Sequence, residues 1–161
     1  MTCTSQTRFV QLWCGMDSSV NPSNGAASIG RRVVYKSFPP ITRHRLALYC
    51  GASGDFNPIH VDIDFAKSAG FPDVFAHGML VMAYAGQALT DVVPPHRIRH
   101  FSSRFTAVAE VGSRLTCEGH VIELFDQSGE SLMKLALRMK DQREEIKLLG
   151  EAVILIDRPS Q

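Results

Sequence analysis

The sequence predicts an α+β fold in which an antiparallel sheet is wrapped around one apolar helix. Residues 78–89 are almost all apolar or small, and a helix that is apolar on every side is expected to be buried on every side. From residue 97 onward the apolar residues recur with a period of two, which is typical of strands. The links between these strands are short, as in antiparallel neighbours. A helical first part followed by a run of strands indicates the α+β class.

The elements before the apolar helix have their own signals. Residues 31–38, RRVVYKSF, are rich in β-branched and aromatic side chains and predict a strand, which Pro39 ends. Thr42 is a good helix N-cap, and the apolar residues after it predict a helix to about residue 52. A glycine at position 54 is a natural stop for this helix.

A short helix over residues 62–69 comes next, and we expect either Asp62 or Asp64 to cap it. The apolar helix of residues 78–89 follows and ends before Pro94. Four strands complete the chain and are expected to form a meander. They are predicted at 97–111, 113–126, 130–141 and 146–157.

Length and composition limit the kind of protein. A chain of 161 residues favours one domain, which we place at residues 29–161 after a flexible extension of residues 1–28 rich in Ser, Asn and Gly. The net charge of +1 provides no general attraction to nucleic acids or anionic membranes. No apolar run reaches the ~18 residues of a membrane helix. We therefore expect neither nucleic acid nor a membrane as a partner.

Four cysteines lie at positions 3, 14, 50 and 117 without paired spacing. They do not form a zinc motif, and free thiols in a reducing compartment are the simplest interpretation. The first fifteen residues lack the features of a signal peptide. The sequence therefore predicts a cytoplasmic protein.

The stretch GASGDFNPIHVD, residues 51–62, brings three reactive polar groups together. Asp55, Asn57 and His60 surround Pro58, which lacks an amide hydrogen and biases the residue before it toward an extended conformation. The loop is therefore bent rather than helical. Either a surface turn or an active site explains it, but an Asp with a His is a usual pair for proton transfer near neutral pH.

Other kinds of site fit this loop less well. As a calcium loop of EF-hand type it has His60 where glycine is needed and Ala66 where glutamate is needed. The GASG at 51–54 is similar to a KH-type RNA loop, but Asp55 follows and would repel phosphate. The spacing supports no particular metal site. The chain has no GxSxG nucleophile motif, so the Asp and the His would act on water directly.

A second feature is AHGML, residues 76–80, at the start of the apolar helix. First-turn amides lack an intrahelical partner, and a glycine there lets a ligand approach the backbone. Gly78 therefore either provides an oxyanion site for a carbonyl or serves close packing. The Asp and His upstream favour the first interpretation.

These segments resemble the hydratase motif of the MaoC-like family of (R)-specific enoyl-thioester hydratases and dehydratases. The similarity extends over roughly residues 29–157. The matching residues are Ser53, Gly54, Asp55, Asn57, Pro58, His60, Ala66 and the run from His77 to Leu80.

The resemblance implies the hot-dog fold, in which a sheet surrounds a central helix, and a dimer. It implies that Asp55 and His60 are the catalytic pair, that Asn57 supports them and that the amide of Gly78 is the oxyanion donor. The implied reaction is the reversible hydration of a trans-2-enoyl thioester, carried by CoA or acyl carrier protein, to an (R)-3-hydroxyacyl thioester. No metal or redox cofactor is expected.

Two other functions stay open at this point. A thioesterase of the same fold would aim water at the carbonyl carbon, although it would not need His60 in this place. An acyl-thioester-binding subunit of a heteromeric dehydratase would lack activity of its own. The acyl chain, the carrier, the physiological direction and the identity of the first base stay open as well.

Overall fold

The computed structural model describes residues 28–156. The predicted extension of residues 1–28 therefore lies almost wholly outside the described residues, as do residues 157–161. The described part contains five strands and three α-helices. The strands are β1 (Arg32–Ser37), β2 (Ile98–Phe105), β3 (Thr116–Gln127), β4 (Glu130–Lys140) and β5 (Ile146–Leu155), and the helices are α1 (Arg43–Ser53), α2 (Ile63–Ser68) and α3 (Gly78–Thr90).

The α+β class is confirmed, and the five strands form one antiparallel sheet in the order β1-β3-β4-β5-β2. The predicted meander is right for β3, β4 and β5, which pair in sequence. It is wrong for β2, which pairs with β5 and not with β3. The reason is that β1 occupies the outer edge of β3, so β2 lies at the opposite edge of the sheet.

The predicted strand at 97–111 is too long. β2 ends at Phe105, and a segment without regular structure then crosses to β3. This segment is held by a single antiparallel bridge between Phe75 and Glu110 and by a 2.8 Å hydrogen bond from the Ala76 amide to the Ala109 carbonyl. The crossing segment thereby fixes the residues that precede α3.

The central helix α3 packs against β1, β3, β4 and β5, as a helix surrounded by a sheet must. Its inner face is buried and includes Leu80, Val81, Tyr84, Ala85, Ala88 and Leu89. The prediction that this helix is buried on all sides is wrong for the single chain. Met79, Ala83 and Gln87 are exposed along one stripe. These three residues are four apart and therefore share one face of the helix.

The sheet closes around α3 with side chains that alternate toward it. On β3, Cys117 and Val121 are fully buried on the helix side, where Gly119 between them leaves room for Val34 of β1. A methyl group at Gly119 would lie 2.8 Å from the Val34 Cβ, so the close approach depends on glycine. Among the described helices, none combines the length and the apolar content needed for a membrane crossing.

Candidate active site

The loop that carries Asp55 begins where α1 is forced to end. The Thr42 hydroxyl caps the start of α1, as predicted, and Gly54 ends it with a φ of 74°, in the left-handed region that glycine adopts without strain. The Ser53 hydroxyl then accepts a hydrogen bond of 3.2 Å from the Asp55 amide. The chain therefore leaves the helix in a defined direction, with the Asp55 side chain exposed.

Asn57 holds the next turn. Residues 58–60 form a single 3-10 turn with Pro58 at its first position, where the missing amide hydrogen costs nothing. The Asn57 side-chain oxygen accepts a hydrogen bond of 3.1 Å from the Ile59 amide and so caps this turn. The main-chain N–H of Asn57 in turn donates a hydrogen bond of 3.3 Å to the Asp55 carboxylate. The Asn57 side chain thus fixes the backbone between the acid and the histidine.

His60 is buried and its ring is oriented by the backbone. Its Nδ1 lies 2.8 Å from the Phe75 carbonyl oxygen, and because a carbonyl only accepts, Nδ1 carries the hydrogen. In the neutral form of an imidazole with its hydrogen on Nδ1, Nε2 has a lone pair. The Phe75 ring also meets the His60 ring edge-on, with centroids 5.1 Å apart. Phe75 is the residue bridged to Glu110, so the crossing segment indirectly sets the tautomer of His60.

His77 is a site residue that the sequence reasoning did not single out. Its side chain is 1% exposed, and its ring stacks on the His60 ring with centroids 3.9 Å apart and an angle of 29°. Its Nε2 lies 3.3 Å from the main-chain oxygen of Asp55. Two sequence signals were its place directly before Gly78 in AHGML and its position in the run from His77 to Leu80 that matches the family motif. Neither signal assigned it a role, because a buried histidine in a motif is usually structural.

The reactive groups of Asp55, His60 and His77 converge. One side-chain ligand atom from each lies within 4.8 Å of the others, and within residues 28–156 this is the one cluster compact enough to share a metal ion. The two imidazoles, however, are stacked, so their in-plane lone pairs run side by side and do not meet at one point. Each ring also has one nitrogen facing a backbone carbonyl. The arrangement favours proton transfer over metal ligation.

Burial lowers the pKa of His77, and the neighbouring His60 ring lowers it further. The main-chain hydrogen bond to Asp55 and its negative charge oppose this shift without reversing it. His77 is therefore neutral at neutral pH.

Gly78 is the first residue of α3, as predicted, and the helix start has no side-chain cap. The His77 carbonyl accepts hydrogen bonds from the Leu80 and Val81 amides, whereas the Gly78 amide has no acceptor among residues 28–156. The Phe105 ring of β2 packs against Gly78, where an added Cβ would lie 3.2 Å from it. Gly78 thus combines close packing with a free amide at the positive end of the helix dipole.

The predicted site residues are therefore brought together only in part. Asp55 and His60 share one cluster, and Gly78 adjoins it through His77. Asn57 lies in the same loop but acts on its backbone. What the arrangement offers is an exposed carboxylate and an imidazole lone pair beside an unoccupied helix amide.

Comparison with known proteins agrees with this geometry. The family model described as MaoC like domain matches residues 24–140. The chain belongs to the MaoC-like family. The hot-dog fold is confirmed by solved structures: an (R)-hydratase from A. caviae involved in PHA biosynthesis is 25% identical with a TM-score of 0.71, and the similarity covers 83% of this chain and 100% of that one.

Two further relatives carry related names. An (R)-hydratase from Pseudomonas aeruginosa, solved in the unliganded form, is 26% identical with a TM-score of 0.69 and covers 83% of this chain and 89% of that one. The peroxisomal enoyl-CoA hydratase 2 of Arabidopsis thaliana is 36% identical over 80 residues, which is 48% of this chain. The matched segment is therefore about half of this chain and 26% of the plant protein.

Proposed function

We propose that this chain catalyses the reversible hydration of trans-2-enoyl thioesters to (R)-3-hydroxyacyl thioesters. The observation that carries the proposal is the cluster of Asp55 and His60 within 4.8 Å beside the uncapped amide of Gly78. Membership of the MaoC-like family supports the same reaction class. The names of the bacterial (R)-hydratases with this fold support the stereochemistry.

The reaction requires both parts of the site. The Gly78 amide donates a hydrogen bond to the thioester carbonyl oxygen, which polarises the conjugated double bond and stabilises the enolate-like state. Asp55 and His60 hold one water between them, and one of the two accepts its proton as the water oxygen bonds to carbon 3. That proton is then available for carbon 2. The net change is the addition of one water, with the thioester left intact.

The environment of each group suits its role. His60 has Nε2 available as a proton acceptor in its neutral form, because its Nδ1 hydrogen is taken by the Phe75 carbonyl. Asp55 is exposed, so a substrate can reach its carboxylate, and Asn57 holds the short loop between them. Because hydration is redox-neutral and the thioester already acidifies carbon 2, the mechanism needs no metal or redox cofactor.

The proposed partners are a CoA or acyl-carrier-protein thioester and a second copy of this chain. The outer edge of β2 is unpaired within the described residues, since β2 is the last strand of the sheet. Large apolar side chains beside it are exposed: Met79 at 54%, Phe105 at 47% and Val108 at 39%. Pairing of two β2 edges would extend the sheet and cover these side chains. A related subunit in place of the second copy is the alternative.

The proposal is tested with a panel of trans-2-enoyl-CoA substrates from crotonyl to long-chain and sterol-type. We expect loss of the absorbance of the conjugated enoyl thioester, no release of free thiol, and an (R)-3-hydroxyacyl product by chiral analysis. Thiol release at the same rate would indicate a thioesterase instead. If the chain is shown to be folded and reacts with none of the substrates, the result would favour a binding subunit.

A further inference from the structure

We propose that His77 is a positioning residue for this hydration: as a neutral imidazole with its hydrogen on Nε2, it holds the Asp55 backbone and the plane of the His60 ring in one arrangement. The inference rests on the proposed function and adds to it a residue that touches neither substrate nor water. Three contacts of the described residues carry it.

The first contact defines the tautomer. Nε2 of His77 lies 3.3 Å from the main-chain oxygen of Asp55, which only accepts, so Nε2 carries the hydrogen. Nδ1 of His77 is buried and has no hydrogen-bond partner within residues 28–156. A second proton would have to sit on this nitrogen, without an acceptor. The ring is therefore held in one neutral form.

The second contact links His77 to His60. The two rings are stacked at 3.9 Å, and the Phe75 carbonyl fixes the far nitrogen of His60. The His60 ring is thus held along one edge by a hydrogen bond and across its face by His77. Tyr49 of α1 also packs against His77, with the two ring centroids 4.9 Å apart. Among the described residues, the titratable groups in contact with His77 are therefore Asp55, His60 and Tyr49.

The third link is the chain itself, because His77 directly precedes Gly78. His77 is the N-cap residue of α3, and its carbonyl accepts hydrogen bonds from the amides of the first turn. The next amide along the chain is that of Gly78. One side chain thus ties the acid, the base and the oxyanion donor together, so a shift of His77 would misalign all three. Misplacement of catalytic groups by about 1 Å can lower a rate by about 10²-fold.

The test compares two substitutions at this position. His77→Leu removes both the hydrogen bond and the ring, and we expect kcat for crotonyl-CoA hydration to fall about 10²-fold with KM nearly unchanged, because the aligned groups act in the transition state. His77→Gln places an amide N–H where Nε2 was, and we expect it to recover about tenfold of that loss. His44→Gln, at an exposed histidine of α1, is the matched control and should leave both constants unchanged.

Equal losses in the Leu and Gln variants would overturn the proposal, as would a change confined to KM. If the Leu variant does not fold, the proposal is tested by the Gln variant and by a second measurement on the unaltered chain. The ¹⁵N chemical shifts of labelled histidines should show His77 as a neutral Nε2–H ring throughout the pH range of activity. A His77 that protonates within that range would contradict the inference. Because this measurement needs no substrate, it separates failure of the His77 role from failure of the hydratase assignment.

Discussion

The loop that carries Asp55 and His60 and the start of the central helix contribute to the proposed site by different means. In the loop, the groups proposed to react are side chains, and short-range hydrogen bonds such as the Asn57 cap fix the backbone between them. At the helix start the proposed oxyanion donor is a backbone amide. It is exposed because no side chain among residues 28–156 caps the helix and because Gly78 has no Cβ. The proposed function of the loop is lost when a side chain is replaced by one that cannot exchange protons. The proposed function of the helix start is lost only when the backbone N–H is removed or displaced.

The largest effect is expected in the loop. Asp55→Asn and His60→Gln keep size and polarity but remove the groups that exchange protons with water. We expect each to lower kcat for enoyl-CoA hydration by about 10³-fold or more, as measured from the absorbance of the conjugated thioester. The double variant should lose little beyond the worse single variant, because the two groups handle one proton. Near-normal rates in either single variant would remove this pair from the mechanism.

The helix start is tested through its amide. Gly78→Pro removes the N–H, and proline is tolerated at the first position of a helix after a residue that is extended, as His77 is with a ψ of 135°. Gly78→Ala is the matched control, since it adds a similar first carbon against Phe105 but keeps the N–H. We expect the Pro variant to be slower than the Ala variant by about 10²-fold in kcat, the value of one oxyanion donor. Equal rates would mean that Gly78 serves packing alone.

A smaller effect is expected from the residue that shapes the loop. Asn57→Ala removes the acceptor for the Ile59 amide, a cap that contributes about 1 kcal/mol to stability. We expect the loosened loop to misplace Asp55 and His60 at a similar cost of about 1 kcal/mol in the transition state, so kcat should fall roughly fivefold. Asn57→Ser keeps an acceptor oxygen and should retain most of the rate. If serine proves as slow as alanine, the free amide group of Asn57 acts on water or substrate directly, and the residue belongs among the catalytic groups.

The smallest effect is expected from His77, which links the loop to the helix start, and it appears as a pH dependence of the free energy of unfolding. Burial and the His60 ring lower the pKa of His77 in the folded chain, whereas the unfolded chain keeps the ordinary value of 6.5. The contribution of His77 is therefore complete above pH 6.5 and is lost as the pH falls below it toward the folded pKa, with a slope of at most about 1.4 kcal/mol per pH unit. Urea unfolding from pH 7 to pH 5 measures it, and His77→Gln should have the flatter profile. Identical profiles would show that His77 takes up protons equally in both states.

The sequence predicted most of what depends on local chemistry. Thr42, Asp62 and Pro58 lie where capping and proline rules put them, and α3 begins at Gly78 as expected. These signals are readable because each depends on a few neighbouring residues. The resemblance of the motif to a known family added the reaction, which no local rule contains.

What the sequence did not predict depends on distant contacts. The pairing of β2 with β5 follows from β1 taking the edge of β3, some 80 residues away along the chain. The exposed stripe of α3 depends on where the sheet stops. His77 became a site residue only once its ring was found stacked on that of His60, a contact that hydrophobic periodicity cannot reveal.

The most direct single measurement is hydration of crotonyl-CoA in ¹⁸O-labelled water, followed by mass spectrometry of the product. We predict an intact thioester that has gained one labelled water, with the ¹⁸O in the hydroxyl group on carbon 3 and none in a carboxylate. Label found in the carboxylate of a free acid, with CoA released, would contradict the hydratase assignment and place the attack of water at the carbonyl carbon.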